Sequence, residues 1–330
     1  MALTTEQNIT ILKLKGLGRR TAFKINQDMP SNIRLEDGEV LDYINKLSIE
    51  KKVQRLGQYT AVDYQKAQNE VIELLMKSEN AGVKALSFYD NKYPKSLKTI
   101  EDPPLIIYYS GNINKLNDTD GIAIIGTREP SEAGFKAGEY FGEKLGKTGY
   151  NIVSGLAIGC DASAHKGALK ASGFTTAILA HGMQTIYPKE NKLLAEEILN
   201  NDGILLTEYI WGTGALPNYF VERDRLQAGL SKGTIVIQTD VQGGTMHAVN
   251  ATIKSNKPLA AVKYVADTEL NNPKIKGNEM LINEGKAFPL TSKNLDEFIL
   301  RITKLPTNKN VISDTNRPIG DLFSEESSNI

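Results

Sequence analysis

Between Gly121 and Lys263, short apolar runs rich in β-branched residues alternate with longer amphipathic stretches. The runs are GIAIIG from Gly121, YNIVSG from Tyr150, TTAILA from Thr175, GILLTEY from Gly203, GTIVIQT from Gly233 and PLAAVK from Pro258. Each is continuously apolar instead of alternating in and out, as strands covered on both faces require. The segments between them are long enough for crossover helices. The first, about Ser131 to Lys147, sets Ala137, Phe141 and Leu145 on one stripe, with Glu139, Glu143 and Lys144 on other faces. This pattern predicts an α/β fold with a doubly wound, mostly parallel sheet.

Residues 1 to about 85 are helical in pattern. They include LKLKGLGRRTAFKI (Leu12 to Ile25) and a helix around Asp63 to Lys77, whose apolar contacts come from Val71, Leu75 and Met76. A connector with Tyr93-Pro94 and Asp102-Pro103-Pro104 leads into a short strand, Leu105 to Gly111. Beyond Lys263, NPKIKGNEMLINEGKAFPL reads as surface loop plus a short helix, and Leu295 to Lys304 as a last helix. The expected organisation is a small helical domain over 1–85, an extended Rossmann-like domain over 86–304 and a polar, mobile tail over 305–330.

Composition narrows the chemistry. The chain carries 39 basic and 39 acidic residues, so attraction to a polyanion must come from a local basic surface. The lone Cys160 excludes a disulfide framework and a Cys-rich metal site, and the three histidines leave little for any other metal centre. Neither a metal nor a cofactor is expected. No apolar run approaches the ~18–20 residues of a membrane helix, and the N-terminus lacks a signal-peptide pattern. The expectation is a cytoplasmic protein without a membrane partner.

In an open parallel sheet the ligand sits at the carboxyl ends of the strands. After the first strand, Gly126, Thr127 and Arg128 precede a helix start at Pro130-Ser131. Close backbone approach, a hydroxyl, a guanidinium and free helix N–H groups together make an anion site, or else a tight turn with an exposed Arg. After the second, Ser154, Gly155 and Gly159 bracket a turn, and Asp161 either caps the next helix or orients His165 one turn on. His165 reads more readily as a packed histidine than as a catalyst, and Cys160 as a buried, inert thiol. After the third, Lys189 and Asn191 lie near a helix start, where the lysine either meets a phosphate or is solvated. After the fourth, Phe220 stands near Arg223 and Arg225. This suits base stacking with phosphate pairing on a single strand, or an Arg223–Asp224 salt bridge with Phe220 in the core. After the fifth, Gly243, Gly244 and Thr245 form another helix-opening turn, followed by His247. Two such turns point to a polyanionic or nucleotide ligand.

Other motifs fail. No G-x-G-x-x-G follows the first strand and no G-x-S-x-G elbow is present; GEKLGKT (Gly142 to Thr148) lacks the first glycine of a Walker A loop and precedes a strand.

Taken together, Gly126-Thr127-Arg128, Ser154-Gly155-Leu156-Ala157 with Gly159, Asp161 and His165, Tyr187-Pro188 with Asn191, Glu208, and Phe220 with Arg223-x-Arg225 and Gly229-Leu230-Ser231 resemble the DprA (Smf) family of bacterial DNA-processing proteins. The likeness covers about Phe88 to Lys263, and GLGRRTAFKI resembles the family's small helical domain. The resemblance implies a homodimeric, non-catalytic protein that binds and protects single-stranded DNA and helps load a RecA-type recombinase in transformation and recombination. By motif position, Arg128 and Lys189 would hold phosphates, Gly126 and Thr127 would line the pocket, and Phe220, Arg223 and Arg225 would flank it.

Several positions depart from the family pattern. Asp224 replaces the amide of the usual Arg-Asn-Arg, Gly243-Gly244-Thr245 replaces a Ser-Gly-Ser/Ala turn, and His247-Ala248 replaces Thr-Ala. A second class therefore stands beside the first: nucleotide-binding proteins and phosphoribohydrolases of the same superfamily. Those enzymes use a Gly-Gly-x-Gly-Thr turn followed by a glutamate. The turn here lacks both the extra glycine and the acid, and no acid near it is expected to activate water.

Overall fold

The computed structural model describes residues 2–29, 35–53, 56–265, 269 and 271–304. The expected tail over 305–330 lies outside the described residues. All six expected parallel strands form: β3 (Gly121–Ile125), β4 (Asn151–Ser154), β5 (Thr175–Ile178), β6 (Ile204–Thr207), β7 (Thr234–Val236) and β8 (Leu259–Val262). β2 (Ile106–Gly111) matches the expected short strand, and two further strands, β1 (Lys84–Ser87) and β9 (Phe288–Leu290), extend the sheet. The order is β1-β2-β6-β5-β4-β3-β7-β8-β9, parallel from β6 to β9, with β1 and β2 antiparallel at one edge. The strand order reverses between β3 and β7, so the crevice beyond their carboxyl ends is the topological switch point. β9 lies in a stretch expected to be loop and helix. Three residues are too few to show a period, and their pairing with β8 decides the conformation.

The continuous apolar runs fill both sides of the sheet. Ile122 and Ile124 pack with Phe141 and Leu145 of α6 (Glu132–Lys147) and Ala164 and Ala168 of α7 (Cys160–Lys170). The alternate residues Ala123 and Ile125 pack with Ala248 and Val249 of α10 (Thr245–Lys254) and Leu281 of α11 (Lys276–Asn283). Successive side chains of one strand thus serve opposite layers. α8 (Lys192–Asn200) covers β5 and β6, α9 (Pro217–Gly229) follows β6, and α12 (Leu295–Thr303) is the expected last helix. α5 (Ile113–Asp118) joins β2 to β3. GEKLGKT forms the last turns of α6 and the turn after it, confirming that it is no phosphate loop.

Ahead of the sheet, α1 (Thr5–Lys13), α2 (Arg19–Asp28), α3 (Asp37–Ile49) and α4 (Ala61–Asn80) share one apolar cluster with Leu105, Ile106 and Tyr108. Reciprocal capping boxes at Thr4/Gln7 and Thr60/Asp63 start α1 and α4. The stretch Leu12 to Ile25, helical in pattern, is divided between two helices: Leu14 is extended and caps α1, and α2 begins only after Gly18. In α4, Val71 is buried and Leu75 half-buried, whereas Met76, expected as a contact, is 60% exposed. The helical period alone does not say how wide the buried stripe is.

Candidate nucleic-acid interface

The loop after β3 is stitched to both neighbours. Thr127 N–H donates to Gln238 O at 2.7 Å beyond β7, and Cys160 N–H donates to Thr127 O at 3.1 Å from the start of α7. This holds Gly126, Thr127 and an exposed Arg128 at the crevice wall. The α6 N-terminus, expected to offer free N–H groups, has two of them taken by side chains. Ser131 Oγ accepts from Gly134 N–H at 3.1 Å and donates to Glu269 at 3.0 Å, and Gln238 Oε1 accepts the Ser131 N–H. Arg128 is left as the exposed cation of this loop.

The loop after β4 is a scaffold. Ser154 is buried and its hydroxyl donates to Ile124 O at 2.6 Å. Gly159 is the N-cap of α7 with φ +84°, and a Cβ there would meet the Thr127 and Arg128 carbonyls at 2.6 Å. Asp161 neither caps α7 nor orients His165. Its carboxylate turns back to accept the N–H groups of Gly155 and Ala157 at 3.1 and 3.4 Å, which fixes the loop. Burial raises its pKa, and the Arg223 charge opposes that rise. His165 is fully buried with Nδ1 2.7 Å from Thr175 Oγ1, and burial, reinforced by Arg223, pushes it down to about 3. Cys160 is buried with its thiol pushed up to about 12, chiefly by burial, so it packs and does not react.

After β5, Asn191 is buried and donates to Leu156 O at 2.8 Å, so it braces the β4 loop instead of meeting a ligand. Lys189 is exposed on the short turn before α8 and does not line the crevice. Tyr187 does line it, a position at which no role was expected. His181 Nδ1–H donates to Gly182 O at 2.8 Å, so Nε2 is the acceptor of the Tyr187 N–H at 3.3 Å. The Tyr-Pro pair after a strand was the available signal; the inward turn of the ring needed the tertiary structure.

α9 divides the expected triplet. Phe220 is half-buried in the crevice, 5.8 Å from the Tyr187 ring and 5.1 Å beneath the Arg128 guanidinium. Of the alternative reading, the salt bridge is present, with Arg223 Nε 3.4 Å from Asp224 Oδ1, but Phe220 lines the crevice and is not in the core. Arg223 is 4% exposed, donates to Ile178 O at 3.0 Å and leaves room for no side chain at Gly155, where a Cβ would lie 1.4 Å from Nη1. It reaches the crevice wall but is committed to the interior, which corrects its expected role as a free phosphate contact. Arg225 points away from the crevice altogether. It pairs with Glu208 and donates to Asp102 O at 2.9 Å on the side facing α2. One helical position separates roughly 100° of direction, so alternate arginines cannot share a face.

The opposite wall is the α10 turn. Gly243, Gly244, Thr245 and His247 line the crevice, and the helix starts at Gly244 without a side-chain cap. The expectation of no acid near this turn is corrected. Asp240 Oδ1 accepts the Gln242 N–H at 3.0 Å just before it, and Asp224 lines the same space. Lys274, from another loop, pairs with Glu129 at 3.5 Å across the rim. The result is an open crevice of about 690 Å³ at the switch point, with a guanidinium over the Phe220 ring and the Tyr187 ring beside that one at its mouth. Among the described residues no cluster of His, Cys, Asp and Glu suits a metal, and no helix is long and apolar enough to cross a membrane.

Comparison with known proteins agrees with this architecture. Protein Smf of Synechocystis is 30% identical over 224 residues, 64% of this chain and 56% of that protein, so the chain spans little more than half of that relative. The crystal structure of DNA processing protein A from Streptococcus pneumoniae superposes with a TM-score of 0.71 at 27% identity, over 90% of this chain and 99% of that one. DNA processing protein A from Helicobacter pylori, whose structure describes a single-stranded DNA binding mode, matches with a TM-score of 0.59 at 30% identity, over 66% of this chain and 96% of that one. The family model for DNA recombination-mediator protein A matches residues 84–301, which hold the whole crevice, and the chain belongs to that family.

Proposed function

We propose that this protein binds single-stranded DNA across the β3–β7 crevice and acts as a recombination mediator by binding and delivering the strand, without chemical turnover. The observation that carries the reading is the Arg128 guanidinium 5.1 Å over the Phe220 ring with Tyr187 beside it. A stacked guanidinium keeps its N–H edge for a phosphate while the aromatic surface takes an unpaired base. Duplex DNA offers phosphates but keeps its bases paired, so the arrangement favours single strands. Supporting the reading are membership of the family and the single-stranded DNA mode described for the Helicobacter pylori protein.

A RecA-type recombinase as recipient, a homodimer that joins two crevices, and a cytoplasmic setting belong to the same proposal. Two linked crevices on one strand make the second contact intramolecular and raise apparent affinity. A division near residue 85 into a helical domain and a DNA-binding domain is also proposed, and limited proteolysis checks it. Fluorescence anisotropy with labelled single-stranded and duplex oligonucleotides tests the binding, with nucleoside monophosphates as competitors. Preference for the single strand, loss of it in Arg128→Ala and indifference to mononucleotides are expected. Weak DNA binding with saturable mononucleotide binding would reject the proposal in favour of a nucleotide pocket.

A further inference from the structure

The stripe that α9 turns toward the crevice is not uniform. Phe220, Asp224 and Gln227, at spacings of four and three, fall on one face and all line the crevice. The aromatic ring stands at the mouth, the carboxylate one turn deeper, and the amide beyond it. This sequence of groups suits a flat ring that slides in against Phe220 and presents an edge to Asp224.

The state of Asp224 specifies what that edge must be. Its Oδ1 accepts from Gln227 Nε2 at 3.0 Å and lies 3.4 Å from Arg223 Nε. Oδ2 takes no hydrogen bond among the described residues, and the side chain, 13% exposed, belongs to the lining of the crevice. Gln227 cannot answer the need, since its amide donates to Oδ1 and its own Oε1 is buried without a partner. Burial pushes the Asp224 carboxyl up to about 6, with the Asp161 charge adding to the rise and Arg223 and Arg128 opposing it. At pH 7.5 the group is thus an anion and accepts hydrogen bonds only. A phosphate in this slot would be repelled; a donor edge would be held.

We propose that Asp224 makes this crevice selective among unpaired bases, favouring guanine. Guanine alone among the four presents two adjacent donors, N1–H and the 2-amino group, on its Watson–Crick edge; Oδ2 is open to one, and Oδ1, already held by Gln227, keeps a lone pair for the other. Thymine sets carbonyls on both sides of its one donor, and adenine and cytosine each pair a single amino donor with an acceptor. The inference deepens the single-strand reading and rests on it: Arg128 takes the phosphate at the mouth, and Asp224 reads the base inside.

The test is anisotropy at pH 7.5 with a thymidine oligonucleotide carrying one central guanine, hypoxanthine, adenine or thymine. With the wild-type protein the guanine strand should bind roughly tenfold tighter than the all-thymine strand, the scale of one two-point base contact. Hypoxanthine lacks the 2-amino group and should fall between them. Asp224→Asn, which keeps the shape, should erase the guanine preference, read as the ratio of guanine-strand to all-thymine affinity within the same variant. Equal affinity for all strands in the wild type, or a preference that survives in Asp224→Asn, would overturn base selection and leave single-strand binding standing. Failure to bind any strand would instead overturn the underlying reading, and the inference with it. The guanine-against-hypoxanthine comparison uses only the wild-type protein, so the test holds even if the variant does not fold.

Discussion

Arg225 meets the Glu208 carboxylate with both terminal nitrogens, at 2.5 and 2.6 Å, and Arg19 of α2 reaches the same carboxylate at 3.0 Å. Arg19 also pairs with Asp102 in the Pro-rich connector. One acid at the end of β6 therefore ties α9 to the N-terminal helices, and the arginine that its sequence motif associates with DNA is part of the tie. Glu208→Gln should lower stability by roughly 3 kcal/mol, because it leaves two partly buried guanidiniums short of a partner. Thermal melting reads the loss, and single-strand affinity per folded molecule should change little. A large loss of affinity with an unchanged melting point would show that Arg225 touches DNA after all.

Arg128 and Phe220 should fail in different ways. Removing a phosphate contact lowers the salt dependence of single-strand binding by ~0.7 in the slope of log K against log salt. Arg128→Ala should show that flatter slope. Phe220→Ala should lose ~1–3 kcal/mol of stacking with the slope unchanged. Titrations at several salt concentrations separate the two; identical slopes for both variants would argue against the division of labour.

His165 makes stability depend on pH. Its folded-state pKa of about 3 lies below the ordinary 6.5, so the unfolded chain takes up the proton first. Stability should fall as the pH drops from about 6.5 toward 3, by up to several kcal/mol from this group. Urea unfolding at stepped pH measures it. In His165→Gln the part of the slope due to the imidazole should vanish, even if the variant is less stable throughout.

Two glycines of the site should respond oppositely to alanine. At Gly155 the new Cβ would sit 1.4 Å from Arg223 Nη1, which has no free direction because it donates to Ile178 O. Gly155→Ala should be severely destabilised or insoluble, the outcome of overpacking against a buried charge. At Gly244 a Cβ meets nothing within 4 Å and φ is -54°. Gly244→Ala should fold with a melting point near that of the parent, so that any loss of DNA affinity reports on the α10 turn itself.

Much of the framework was legible because it is written in local patterns. Apolar runs located six of the seven parallel strands, and their uniform hydrophobicity announced a sheet covered on both faces. β1 and β9 were not legible, since strands of four and three residues are held by their neighbours' hydrogen bonds more than by their own composition. The site was legible as a set of loops. Ser154, Asn191 and His165 brace the crevice from behind, and Asp161, which lines it, has its carboxylate turned to loop N–H groups, placements that no local pattern states.

The sequence by itself determined the α/β class, the loops that line the strand-end crevice and the family motifs, because periodicity and glycine-bearing turns are properties of neighbouring residues. Only the tertiary structure decided which charges are free. Arg128, Arg223 and Arg225 are alike in composition, but one stacks in the open on Phe220, one is spent on a buried carbonyl and Asp224, and one is locked to Glu208. A charge acts on a ligand only if no nearer partner has claimed it, and the partners here come from residues up to 123 positions away in the chain.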